Sequence, residues 1–132
     1  MTTEENKRLM QQIFAELEKG NSQALVDALA EDVAWTVTGT TKFSRTYNGK
    51  SSLMSDLVGP LFSELAEPLT MVADRFIADG EYVVVECRGK TTTKAGVPYN
   101  NKYCLVFRLE NGKIKELVEY MDTDLVITTF GG

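Results

Sequence analysis

The sequence predicts a single α+β domain, and three observations predict it. Apolar residues spaced three or four apart are concentrated in the first half of the chain, strand-like alternation broken by turn dipeptides fills the second half, and no repeat, low-complexity tract or linker interrupts the order. With 132 residues, 43% hydrophobic and 25% charged, the chain is mid-range for one domain, residues 1–132, that buries its own core.

The elements follow in order. Thr2 and Glu5 have capping-box spacing, and Leu9, Met10, Ile13, Phe14 and Leu17 then form one face of an amphipathic helix that Lys19-Gly20 ends. Asn21 or Ser22 is expected to cap a second short helix with Leu25, Val26 and Leu29 as its buried stripe, so that the two helices form a hairpin and Glu31-Asp32 leads out of it. Val33 to Val37 alternates as a strand with Val33, Trp35 and Val37 facing one way. Thr38 to Lys50 reads as a polar, glycine-flanked loop. From Ser51 the helical period returns through Leu53, Leu57, Val58, Leu61, Phe62 and Leu65, with a kink or break expected at Gly59-Pro60. Four strands are then expected: Leu69 to Ala78, Tyr82 to Thr93, Tyr99 to Leu109 and Lys113 to Met121, with turns at Asp79-Gly80, around Ala95 to Pro98, and at Asn111-Gly112.

Composition removes whole classes of function. Fourteen Lys and Arg against 19 Asp and Glu give a net charge of -5, and the scattered basic residues make no phosphate-tracking stripe, so nucleic acid is not an expected partner. The absence of histidine excludes every Ser-His, Cys-His and His-ligated metal mechanism. Cys87 and Cys104 lack zinc or disulfide spacing and are expected as reduced, packed thiols; no metal and no cofactor is expected. Gly49-Lys50-Ser51 lacks the glycine five residues earlier that a phosphate-binding loop needs, and a turn starting the third helix is the better reading. The polar start MTTEENKRLM and the short apolar stretches predict no membrane segment and a cytoplasmic location.

The element order, together with NSQALVDALAEDVAWTV after the first helix and NGKIKELVEYMDTDLV at the end, resembles the SnoaL-like, ketosteroid-isomerase-like branch of the nuclear transport factor 2-like superfamily over nearly the whole chain. The resemblance implies a cone: a curved antiparallel or mixed sheet wrapped around about three helices of the N-terminal half, a pocket between sheet and helices, and dimers through the outer face of the sheet. Its members include steroid isomerases, epoxide hydrolases, polyketide cyclases, phenazine-pathway proteins and proteins without catalytic activity, and fold alone does not choose among them. The isomerase trio of one carboxylate base and two proton donors falls on Val37, on Ile13 beside Phe14, and at or next to Leu105, all apolar, so that mechanism is not expected.

The phenazine-pathway relatives carry an acid–base glutamate within an Arg-Glu-aromatic motif on the last strand, and Val118-Glu119-Tyr120 matches it apart from the arginine. Glu119 is therefore the first catalytic candidate. Strand parity groups it with Leu117 and Met121, against Val118, Tyr120 and Asp122, without saying which set faces the pocket; an exposed or dimer-face Glu119 is the competing reading. Asp122 is the second candidate, with capping of a short terminal helix as its competing role. Phe14, Trp35, Val37, Leu57, Leu61, Asn101, Tyr103, Leu105 and Met121 are the expected ligand-binding residues; Tyr99, Asn101, Tyr103, Leu105 and Phe107 share one strand face that supplies aromatic walls, an amide and a phenol. Glu86 and Arg88 are read as surface cross-strand charges. The functional expectation is a pocket protein for a small apolar or aromatic molecule, either an acid–base enzyme of isomerase, cyclase or dehydratase type or a non-catalytic binding or dimerising domain. A homodimer is expected, because Val84, Val106, Val118 and Tyr120 would otherwise face water.

Overall fold

Thr2 caps the first helix, α1 (Thr3–Leu17), through a complete capping box: its hydroxyl accepts from the Glu5 amide at 3.1 Å while its own amide donates to the Glu5 carboxylate at 2.8 Å. The computed structural model describes all residues, Met1–Gly132. α1 buries Met10, Ile13, Phe14 and Leu17 against the sheet, with Phe14 edge-on to Phe76 and Phe107. The short α2 (Gln23–Ala28) follows, but Ser22 at its start makes no side-chain cap and the helix buries no residue completely. Leu25 and Val26 stay half-buried because they border a cavity instead of the core.

The first strand, β1 (Leu29–Val37), begins four residues before the expected start, so Glu31-Asp32 lies within a strand. Lys115 holds the Asp32 carboxylate there at 2.7 Å. A second correction lies in the expected loop, where β2 (Arg45–Asn48) pairs antiparallel with β1. Only Tyr47 of its four residues is buried, so this edge strand is made by backbone pairing and leaves almost no hydrophobic pattern. Gly49, at φ 92, turns the chain into α3 (Lys50–Leu53).

Gly59-Pro60 does not break the third helical stretch. α3 runs through a π-helical turn, Met54–Val58, into α4 (Gly59–Ser63), and the Gly59 amide donates to the Met54 carbonyl five residues back. The wider turn relieves the clash of the proline ring with the preceding turn. A Cβ at Gly59 would sit 3.0 Å from that same carbonyl oxygen, so the turn is closed around a glycine.

The remaining strands are β3 (Thr70–Asp79), β4 (Tyr82–Lys90), β5 (Lys102–Glu110) and β6 (Lys113–Met121), followed by α5 (Thr123–Phe130). β4 ends and β5 begins three residues inside the expected limits, because residues 91–101 leave the ladder for isolated bridges, Leu65 to Thr93 and Thr92 to Pro98. The six strands form one curved, unclosed mixed sheet in the order β2-β1-β6-β5-β4-β3, in which β1 and β6 are the parallel pair. Register irregularities between Ala73 and Arg75 and between Arg108 and Leu109 add local twist and curvature.

The sheet's faces differ in kind. Val83, Val85, Leu105, Phe107 and Leu117 pack inward with α1 in one core cluster. On the outer face Ile77, Val84, Val106 and Val118 form a row across four strands. Ile77, Tyr82 and Tyr120 are about half exposed there, at 51%, 47% and 50%. Cross-strand ion pairs border them, Arg75 with Glu86 and Arg88 with Asp74, so Glu86 and Arg88 are surface charges, each paired to β3 and not to one another. No helix is long and apolar enough to cross a membrane.

Candidate functional site

Three strands bring one row of inward residues together. Parallel pairing of β1 with β6 sets Val37 beside Glu119, and antiparallel pairing of β6 with β5 sets Leu105 on its other side. The Thr38 amide and hydroxyl both donate to the Glu119 carbonyl, at 3.1 and 2.8 Å, and pin this register at the end of β1. Two residues back along β1, Trp35 turns inward and its Nε1–H donates to Glu119 Oε1 at 3.0 Å.

These residues face a cavity of about 240 Å³ between the sheet, the end of α1, α2, the α3–α4 stretch and α5. Twenty of its 24 lining residues are hydrophobic, and the other four are Ser22, Gln23, Thr41 and Glu119. Two of those are already engaged, since Gln23 donates to Asp27 and the Thr41 hydroxyl is bonded to Ser44. Glu119 is thus the one carboxyl group in an apolar wall. Desolvation pushes its pKa up to about 7, against the opposing hydrogen bond from Trp35. A group poised near neutrality can both take and return a proton.

Trp35, Val37, Leu57, Leu61, Tyr103, Leu105 and Met121 line the cavity with Glu119. Inward Glu119 also decides the parity of β6, with Val118 half-buried and Tyr120 exposed on the far face. Three expected site residues lie elsewhere. Phe14 is 2% exposed and belongs to the aromatic core beyond the cavity, because α1 passes it to Phe76 and Phe107 and gives Leu17 to the lining. Asn101 is absent from the lining and its amide ties β5 to the end of β6, accepting from the Lys102 and Asp122 amides and donating to the Asp122 carbonyl. Asp122 caps α5, accepting from the Leu125 amide at 3.2 Å, and is exposed.

The sequence reading missed the contributions of Phe43, Met54, Met71, Val126 and Phe130 to the lining. For Val126 and Phe130 a signal existed, since they fall four apart after the Asp122 cap. For Phe43, within a polar segment, none did. Cys87 is buried and its thiol is pushed up to about 12 by desolvation, so it is inert, and Cys104 is likewise free. No three His, Cys, Asp or Glu side chains gather where they could hold a metal ion.

With this geometry established, comparison with known proteins defines the family. A family model described as the SnoaL-like domain matches residues 10–117, from within α1 into β6. A nuclear transport factor 2-like protein of unknown function from Burkholderia pseudomallei K96243 superposes with a TM-score of 0.81 at 23% identity, covering 100% of both chains. A protein named as a candidate SnoaL-like polyketide cyclase from Jannaschia sp. CCS1 does so with 0.79 at 15% identity over 99% of this chain and 94% of its own. TerC, co-crystallised with polyporic acid, gives 0.78 at 16% identity over 96% of this chain and 98% of its own. No curated protein matches the sequence significantly. The matched segment carries most of the secondary structure that builds the cavity, and this chain belongs to the SnoaL-like domain family.

Proposed function

We propose that this protein binds a small apolar or aromatic metabolite in the cavity and that Glu119 moves a proton on it, in an isomerisation, cyclisation or dehydration that needs no cofactor. The observation that carries the reading is Glu119 itself: a lone carboxyl in an apolar wall, held by Trp35 at 3.0 Å with its pKa at about 7. Leaving such a group in a cavity costs stability, which a purely structural role does not explain. A cavity of about 150 Å³ accommodates benzene, so about 240 Å³ suits a somewhat larger ring system. That TerC was co-crystallised with polyporic acid, and that the Jannaschia protein carries a polyketide-cyclase name, are consistent with this ligand class.

A second reading, a binding domain without chemistry, is favoured by one observation: Trp35 is the only side chain hydrogen-bonded to Glu119. The third, a scaffold whose pocket is filled by its own side chains, has the open cavity against it. We also propose a homodimer through the outer face of the sheet, which would cover Val84, Val106, Val118 and Tyr120.

The test uses Trp35, the single tryptophan, as a reporter inside the cavity. Aromatic ketones and quinones, polyporic acid among them, are titrated against its fluorescence, and binders are followed for conversion by mass spectrometry. Turnover that rises or falls with an apparent pKa near 7 and drops about a hundredfold or more in Glu119→Gln is expected. Glu116→Gln, whose carboxylate pairs with Arg108 on the opposite face, should leave turnover unchanged. Binding without conversion in the wild type, equal in Glu119→Gln, would establish the second reading.

A further inference from the structure

Asn101 and Tyr103 were expected to offer a ligand an amide and a phenol, yet each gives a hydrogen bond to the same neighbour, Tyr99. Asn101 Oδ1 accepts the backbone amides of Lys102 at 2.8 Å and Asp122 at 3.1 Å, a position only an oxygen can fill. Its Nδ2 must therefore face the other way, where it donates to Tyr99 Oη at 3.1 Å and to the Asp122 carbonyl at 3.0 Å. The Tyr103 hydroxyl also donates to Tyr99 Oη, at 3.4 Å.

Tyr99 Oη thus accepts two hydrogen bonds, the full acceptor capacity of a phenol, and no protein acceptor takes its own proton. Both donors favour negative charge on that oxygen and polarise its O–H, while burial keeps the phenol protonated above its ordinary range. The ring is held edge-on to Phe130 at 4.8 Å, and Tyr99 borders the same cavity as Glu119. The Trp35 N–H is given to Glu119, ionised Glu119 only accepts, and the Ser22 hydroxyl, which also has no protein partner, lies at the start of α2 with no donor to polarise it.

We propose that Tyr99 Oη is the donor that anchors the ligand, and that the ligand is an apolar molecule bearing an uncharged acceptor oxygen, a ketone or quinone carbonyl. Asn101 and Tyr103 are positioning residues that aim this donor. An anionic group is disfavoured because it would share the cavity with Glu119. The inference rests on the cavity being a ligand site, and the experiment separates failure of the two.

Acetophenone and α-methylstyrene have the same shape, with a carbonyl oxygen in one replaced by a methylene in the other. Their affinities are measured by Trp35 fluorescence at about pH 9, where Glu119 is ionised and cannot donate. Tyr99→Phe should weaken acetophenone about tenfold and leave α-methylstyrene within about twofold, the scale of one hydrogen bond from a polarised donor. Tyr103→Phe, which removes one of the two supporting donors, should weaken acetophenone only a few-fold. In the wild-type protein, independently of any variant, the carbonyl stretch of bound acetophenone should lie to the red of its value in hexane. Equal weakening of both probes by Tyr99→Phe, a larger loss in Tyr103→Phe than in Tyr99→Phe, or a carbonyl band at the hexane position would overturn the assignment of Tyr99. If neither probe perturbs Trp35 in the wild type, the cavity is not a ligand site for such molecules, and both readings fall together.

Discussion

Glu119 combines a cost and a capacity in one side chain. Its folded-state pKa of about 7 lies above the value of 4.5 for an unperturbed glutamate, so the folded protein binds the extra proton between those limits. The stability associated with that proton is present in full below about pH 4.5 and is lost as pH rises through about 7. Replacing the carboxyl by an amide removes the penalty while leaving an oxygen for Trp35. Glu119→Gln should therefore melt with the wild type at pH 4.5 and above it at pH 8, with a gain on the order of 1–3 kcal/mol. A thermal-melt series across pH checks this; a parallel pair of curves would mean that the carboxyl is solvated. Trp35→Phe acts in the opposite sense on the same group. It deletes the one hydrogen bond that lowers the Glu119 pKa, so the carboxyl should titrate above 7, seen by carbon NMR of labelled glutamate, and the basic limb of any turnover profile should move with it.

At the level of elements, the end of β6 separates chemistry from capping. Asp122 starts α5, and α5 supplies Val126 and Phe130 to the cavity wall, so this carboxylate acts on the site through the helix it holds. Asp122→Ala should cost about 1 kcal/mol in unfolding free energy, whereas Asp122→Asn, which keeps a capping oxygen, should cost a few tenths and leave turnover intact. A collapse of turnover in a stable Asp122→Asn would return the residue to the catalytic candidates. The π-helical turn at Met54–Val58 is the matching device in the α3–α4 stretch. It carries Met54, Leu57 and Val58 to the cavity where a regular helix would collide with Pro60. The β2 strand escaped the sequence reading for a physical reason: four edge residues held by main-chain pairing, with one buried tyrosine, carry no alternation to detect.

For the whole molecule, a sheet curved around a cavity has an outer face that must meet water or another protein. The valine row of Val84, Val106 and Val118, with Ile77 and Tyr120 beside it, is bordered by exposed ion pairs, an arrangement suited to a symmetric contact between two copies. Light scattering should give twice the chain mass at micromolar concentration. Val106→Glu should halve it while leaving the fold and Trp35 fluorescence unchanged, because Val106 points away from the cavity. A wild-type monomer would show that this face is solvated.

The sequence alone determined what depends on near neighbours: the capping box of α1, the two halves of the domain, the hairpin at Asn111-Gly112, the bounds of β6, and the alternation that puts Leu117, Glu119 and Met121 on one side. These follow from spacing, because helical and strand periods are local properties of the chain. The tertiary structure decided which side that was. Glu119 became an inward carboxyl because the parallel pairing of β1 with β6 set Val37 opposite it and brought in a tryptophan 84 residues away. The same holds at the start of β5, where residue types suggested an amide and a phenol for the ligand and the fold gave a donor from each to Tyr99. Pairing register and the orientation of a buried polar group depend on partners distant in the chain, and a donor already satisfied by one of them is no longer available to a ligand.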